Sequence, residues 1–358
     1  MRRSNGAHTL YPFRHLPCVS SISGADILRR RKRWEYVENT SLGGVARVTI
    51  FRSVVEVIGQ TPMVRLNRLP DSDSAEIVVK VESLNPGGSI KARPARRMIE
   101  EAEASGELKP GGTIIEASSG NQGIALAMIG AVKGYRVVVF MPESMSVERR
   151  KVLEAYGAEV RLTPLGRDIK ETLEICVQAS KEFADSTPGS YRARQFENPE
   201  NCCAHEYCTA REIFEQTGGK IDAFVASIGT GGTVTGIGRL LKSAIENVLV
   251  VAAEPDQASL LMDIPVGFHV QEGIGDGILP DILDKSVIDR AILVSDFEAV
   301  STARRLAREE GIFCGISSGT NVFAALQIAK ELGPGKRVVT IIPDGGEKYL
   351  STALFDQR

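Results

Sequence analysis

Lys91 lies in the stretch Asn85-Pro-Gly-Gly-Ser-Ile-Lys91-Ala-Arg93, a setting in which a lysine can serve as a nucleophile. A Pro-Gly-Gly bend precedes it, and Met98, Ile99 and Ala102 at helical spacing predict a helix from Lys91 to Ala104. The positive end of a helix dipole disfavours an ammonium, which lowers the amine's pKa and favours the neutral form that condenses with a carbonyl. The plain alternative is a solvated surface lysine.

Three further loops carry glycine next to hydrogen-bonding side chains. Ser118-Ser119-Gly120-Asn121-Gln122-Gly123 follows an apolar run and opens a helical pattern, a natural seat for a carboxylate. Gly229-Thr230-Gly231-Gly232-Thr233 has little bulk and two hydroxyls, so successive N–H groups can curl around a phosphate. It matches neither GxxxxGK[ST] nor GxGxxG, and neutral donors alone suit a monophosphate cofactor better than a nucleotide. The third loop is Gly315-Ile-Ser-Ser-Gly319. Any one of these is more simply a tight turn, and three in one chain favour a shared ligand.

The elements that must position these loops are short β-branched runs alternating with helical patterns. Strands are expected at 77–81, 113–116, 137–140, 223–226, 248–252 and 337–342. Helices are expected at 91–104, 121–132, 147–156, from Val234, 298–310 and 321–331. Uniformly apolar strands separated by single helices call for parallel sheets covered on both faces, an α/β fold with strands enough for two sheets.

Composition excludes much else. The chain has 358 residues, 43 basic and 45 acidic side chains, a formal charge of -2 and 43% hydrophobic residues. That is globular, with no overall field for nucleic acid or membrane and no apolar run near the ~20 residues of a membrane helix. The 35 glycines are the one excess. Six cysteines are too sparse for a disulfide framework and fit a reducing compartment. Cys202, Cys203, His205 and Cys208 could form a metal corner but lack a second ligand pair, so they read as structural and no metal is expected. Residues 1–50 differ: between Met1 and Trp34 seven Arg and one Lys face a single acidic residue, Asp26. Such a basic leader suits a transit peptide, a nucleic-acid arm or, most plainly, a disordered tail.

Together these residues resemble a known family. Asn85 to Arg93, the SSGNQG, GTGGT and GISSG loops, and Tyr349-Leu-Ser-Thr-Ala353 look like the β-family (fold type II) of pyridoxal-phosphate enzymes, within it the cysteine synthases and the cystathionine β-synthase core. Ile58–Leu66, Met141–Arg150 and Glu310–Gly315 agree, so the resemblance runs from about Val54 to Phe355. It implies two α/β domains with the cofactor between them: a larger one from 54–85 plus 197–358, and a smaller mobile one from 86–196. It further implies that Lys91 is the Schiff-base lysine and acid/base, that Asn121 and Ser317 meet the cofactor ring, and that Gly229, Thr230, Gly231, Gly232 and Thr233 hold its phosphate. Ser118, Ser119, Gly120, Asn121, Gln122 and Gln195 would grip the substrate carboxylate.

The reaction so implied is β-replacement on O-acetylserine or O-phosphoserine through an aminoacrylate, with sulfide giving L-cysteine. Homocysteine or an amine such as glutamate is the alternative nucleophile, and an inactive partner-binding homologue the non-enzymatic one. The resemblance also implies a cytoplasmic homodimer (unless the leader directs organellar import), with serine acetyltransferase as a further partner. Departures from the family pattern are Ala92 for Asp, Gln122 for Thr, and Ala210-Arg211 for Gly-Pro. An anionic substrate group could be met by Arg211 or Arg93, the alternative being an ordinary salt bridge.

Overall fold

A computed structural model describes residues 50–118, 120–352 and 354–355. The basic leader therefore lies outside the described residues except for Ile50, and so do Ser119 and Ala353.

The described chain folds around two sheets. The first has six strands in the order β1-β2-β10-β7-β8-β9. These are β1 (Met63–Arg65), β2 (Glu76–Val81), β7 (Ala223–Ser227), β8 (Leu249–Pro255), β9 (Arg290–Val294) and β10 (Arg337–Ile342). All pairs are parallel except β1 with β2. The second sheet has four parallel strands in the order β5-β4-β3-β6: β3 (Thr113–Ala117), β4 (Arg136–Pro142), β5 (Glu159–Thr163) and β6 (Ser190–Arg192).

Strand side chains alternate between two apolar layers, because successive residues point to opposite faces. In the six-stranded sheet Val225, Val251 and Val338 pack into one core, and Phe224, Val250 and Val339 into the other. In the four-stranded sheet Ile114, Val137 and Val139 face one core, and Ile115, Val138 and Phe140 the opposite one. Both faces are covered, as continuously apolar parallel strands require.

The helices are α1 (Ala92–Ser105), α2 (Asn121–Lys133), α3 (Val147–Ala155), α4 (Ile169–Asp185), α5 (Glu200–Ala204), α6 (Ala210–Thr217), α7 (Gly232–Ala244), α8 (Asp296–Glu309) and α9 (Ile316–Leu332). A π-turn, His205–Thr209, joins α5 to α6. Helix α1 buries Ala92, Ala95, Met98, Ile99 and Ala102 against the core of the four-stranded sheet. No described helix is long and apolar enough to cross a membrane.

Each sheet reverses its strand order once, and those reversals locate the site. The second sheet runs β3, β4, β5 to one side while β6 returns beside β3. In the first, β7, β8 and β9 run one way and β10 returns beside β7. In open parallel sheets a crevice forms beyond the carboxyl ends of strands at such a point. The chain leaving β3 is the 118–123 loop and that leaving β7 is the 229–233 loop.

Candidate active site

Lys91 is the N-cap of α1 and is half-buried. Two hydrogen bonds pin the preceding turn to the chain leaving β10: Ile90 N–H donates to the Pro343 carbonyl (2.8 Å) and Gly345 N–H to the Gly88 carbonyl (3.3 Å). Burial lowers the Lys91 pKa, while the charges of Asp276, then Asp344, then Glu116 partly offset it. The amine is thus depressed, as the helix-terminus argument expects, with burial as the principal cause.

The 118–123 loop is braced from within. Ser118 Oγ accepts the N–H groups of Gly120 and Gly123, both at 3.1 Å, which fixes the turn into α2. The Asn121 and Gln122 N–H groups lie in the first turn of a 13-residue helix, where no intrahelical acceptor exists. The Gln122 side chain is buried; its Nε2 reaches Met98 Sδ at 3.6 Å, and Oε1 has no partner. Asn121 Nδ2 donates to Asp344 Oδ2 (2.8 Å), and its Oδ1 accepts from Lys348 Nζ (2.9 Å).

Gln195 follows β6 across the same crevice, and its Nε2 donates to the Ala117 carbonyl (3.3 Å). The Gln195 carbonyl accepts from Asn201 Nδ2, which also reaches Thr230 Oγ1, both at 2.9 Å. A continuous polar chain therefore links the 118–123 and 229–233 loops through two amide side chains.

The 229–233 loop opens α7 with Gly231 at φ +78. A Cβ on Gly232 would collide with the Asn201 amide, so only glycine admits that close approach. Thr233 Oγ1 lies 3.4 Å from His205 Nε2, and His205 Nδ1 lies 3.0 Å from Thr209 Oγ1. Burial, then Arg93 and Lys91, hold the His205 pKa well below its usual range, so the ring is neutral at pH 7. Cys202 Sγ donates to the Ile282 carbonyl (3.3 Å), Cys203 is buried and Cys208 exposed. Among the described residues no group of three or more His, Cys, Asp or Glu could hold a metal ion.

Ser317 is buried in the first turn of α9, whose N-cap is Gly315. Tyr349 donates to Asp344 Oδ2 (2.9 Å), while Asp344 Oδ1 is buried without a partner. Arg149, on α3, ion-pairs with Glu272 and stacks over the Tyr349 ring at 4.8 Å.

Arg93 takes the salt-bridge reading rather than the substrate one. It is 4% exposed, and its guanidinium is taken up by Glu82 (2.6 and 2.8 Å) and Glu212 (2.7 Å twice). Two bidentate carboxylates take four of its five N–H donors and balance its charge. Arg211 is half-buried and already engaged.

The residues missed in the sequence are Glu116, Asn201, Asp276 and Asp344. Each is a lone polar residue without spacing of its own. Asp344 could have been found, because it follows β10, the strand that borders the crevice.

A monophosphate cofactor with an aldehyde fits these residues. The glycine-lined start of α7 can cradle its phosphate, and the depressed amine of Lys91 can meet its carbonyl. The family model described as pyridoxal-phosphate dependent enzyme matches residues 54–344. A cysteine synthase of Staphylococcus aureus (strain N315) is 46% identical over 304 residues, 85% of this chain and 96% of that protein. Among solved structures, an O-ureido-L-serine synthase is 45% identical with a TM-score of 0.82, covering 86% of this chain and 96% of its own. An O-acetylserine dependent cystathionine β-synthase from Helicobacter pylori is 36% identical with a TM-score of 0.80, covering 86% and 100%. A cysteine synthase from Entamoeba histolytica is 39% identical with a TM-score of 0.81, covering 88% and 94%. The chain therefore belongs to the cysteine synthase family of pyridoxal-phosphate dependent enzymes.

Proposed function

We propose that this enzyme replaces the β-substituent of an O-activated L-serine, O-acetyl-L-serine or O-phospho-L-serine, with sulfide to make L-cysteine. The observation that carries this is Lys91: an amine depressed by burial at a helix N-cap, its turn pinned to the chain leaving β10 by the Ile90–Pro343 and Gly345–Gly88 hydrogen bonds. The likeness to cysteine synthases supports sulfide as nucleophile.

When bound, the cofactor supplies an electron sink for the pair released at the substrate Cα. Lys91 takes and returns the Cα proton. Gly229, Thr230, Gly231, Gly232 and Thr233 hold the phosphate, with Asn201 orienting Thr230 and neutral His205 standing behind Thr233. Asn121 and Ser317 meet the ring, Ser317 with a hydroxyl in place of a carboxylate. The N–H groups of the 118–123 loop, with Ser118 Oγ, Ser119 and Gln195, orient the substrate carboxylate. Residues 86–196 close over it and exclude water. The working form is a cytoplasmic homodimer.

The likeness to an O-acetylserine dependent cystathionine β-synthase supports a second reading, homocysteine as nucleophile. Purified protein with pyridoxal phosphate, offered either donor against sulfide, homocysteine and glutamate, distinguishes these. Cysteine from donor plus sulfide, lost together with the yellow colour in Lys91→Ala, is expected. Product only with homocysteine or glutamate would overturn sulfide as the nucleophile.

A further inference from the structure

The loop 271–277 lies against the 229–233 loop and carries one carboxylate that the roles above leave unused. Gly275 N–H donates to the Ile228 carbonyl (3.2 Å), and a Cβ on Gly229 would run into the Gly273 carbonyl. His269 Nε2 bonds the Gly275 carbonyl (3.1 Å), and its Nδ1 accepts from Gln271 N–H (3.2 Å). Gly275 and Gly277 both have positive φ, +66 and +74, and a Cβ on Gly277 would run into Val266 and Lys170. These contacts fix Asp276 between two turns that only glycine adopts readily.

Asp276 is half-buried, and among the described residues no hydrogen bond or ion pair engages its carboxylate. The groups that act on its charge are His269, from the same loop, and Lys91, from the start of α1. Lys170 of α4 packs beside Gly277. Asp344 and Glu116 share the field around Lys91. An unpaired carboxyl held rigidly beside the reacting amine is costly unless it meets a ligand proton.

We propose that Asp276 is the base that accepts the S–H proton of the incoming nucleophile, so that the enzyme uses a neutral thiol, hydrogen sulfide included, as its second substrate. This rests on the β-replacement reading and specifies its second half. Sulfur bonds to the substrate Cβ as its S–H bond breaks, and that proton passes to a carboxylate oxygen of Asp276. The π pair between Cα and Cβ becomes a Cα–H bond with the proton that Lys91 has held since the first half. Asp276 then gives its proton to water, and both groups are restored. Burial raises the Asp276 pKa, which improves it as a base, while the Lys91 charge keeps an ionised fraction available.

The test compares Asp276→Asn and Asp276→Glu with the wild type in single turnover, following the cofactor's absorbance. Donor alone reports the first half; adding sulfide reports the second. General-base loss predicts that Asp276→Asn slows the second half relative to the first by about 100-fold or more at pH 6.5. The deficit should shrink at pH 9, where sulfide has already lost its proton, and Asp276→Glu should recover part of the rate. Lys91 labelling in the cofactor-free protein gives an independent readout: without the Asp276 charge the Lys91 pKa falls and neutral-pH labelling quickens. Equal slowing of both halves at every pH, or an unchanged second half, overturns the assignment. A wild type that shows no absorbance change with either donor overturns the reading beneath it.

Discussion

Glu116 lies one residue before the end of β3 with its carboxyl buried; Oε1 accepts the Ala117 N–H at 2.9 Å and Oε2 has no partner. Burial raises its pKa from 4.5 to about 8, against the pull of its backbone hydrogen bonds and of Arg192. The folded protein thus keeps a proton that the unfolded chain releases. The stability from that proton is complete below pH 4.5 and is lost as pH rises toward 8. Glu116→Gln keeps the shape without the charge. Urea unfolding between pH 5 and 8 should show wild-type stability falling against the variant by up to about 1.4 kcal/mol per pH unit. Parallel curves would mean that Glu116 is ionised throughout. At this scale the sequence displayed Lys91 and the loop residues because glycines and hydroxyls cluster around them. Glu116 and Asp276 were hidden, because what makes them unusual is burial and neighbours brought from distant segments.

Helix starts show what local pattern leaves out. The expected starts at Val234 and Asn321 lie inside helices that begin at Gly232 and Ile316. Gly and Ser have poor helix propensity, so those first turns look like loop; tertiary packing makes them helical. On α7 the packing partner is the α5–π-turn segment, and Gly232 and Gly236, one turn apart, let it come close. A Cβ on Gly236 would meet the Cys202 carbonyl, and would lie 2.8 Å from both Glu206 N and His205 Cβ. Backbone cannot swing aside as a side chain can. Gly236→Ala should therefore lower stability by about 1–3 kcal/mol in denaturant unfolding. It should also loosen the cofactor, because the displaced segment carries Asn201 and His205, the supports of Thr230 and Thr233. Cofactor absorbance surviving gel filtration, at a wild-type unfolding midpoint, would show that the approach is not needed. Strand β5 escaped the sequence for another reason: it is an edge strand of mixed polarity with only Thr163 buried, so it displays no clean period.

Across the whole molecule, the two sheets meet around a buried charge network two residues from Lys91. Arg93 of α1 bridges Glu82, just after β2, and Glu212 of α6. Lys80 of β2, fully buried, donates to Glu212 (2.7 Å), to Gln216 Oε1 (2.8 Å) and to the Thr61 carbonyl (2.6 Å). Burial pushes the Glu212 carboxyl up, but Arg93 and Lys80 outweigh it and bring its pKa down to about 2. The sequence showed the α/β plan, with strands enough for two sheets, through its strand alternation, yet it left Arg93 open between a substrate contact and a salt bridge. Only the fold brings residues 130 positions apart around one guanidinium. Such networks add little over an apolar core but are severe to break, because the partners stay buried with unbalanced charge. Arg93→Met should cost about 3–5 kcal/mol of unfolding free energy, and Arg93→Lys should recover only part, since one ammonium cannot serve two bidentate carboxylates. The turn holding Lys91 should shift in consequence, lowering kcat with either serine donor alike. Preferential loss with the phosphorylated donor, at wild-type stability, would instead place Arg93 on the substrate.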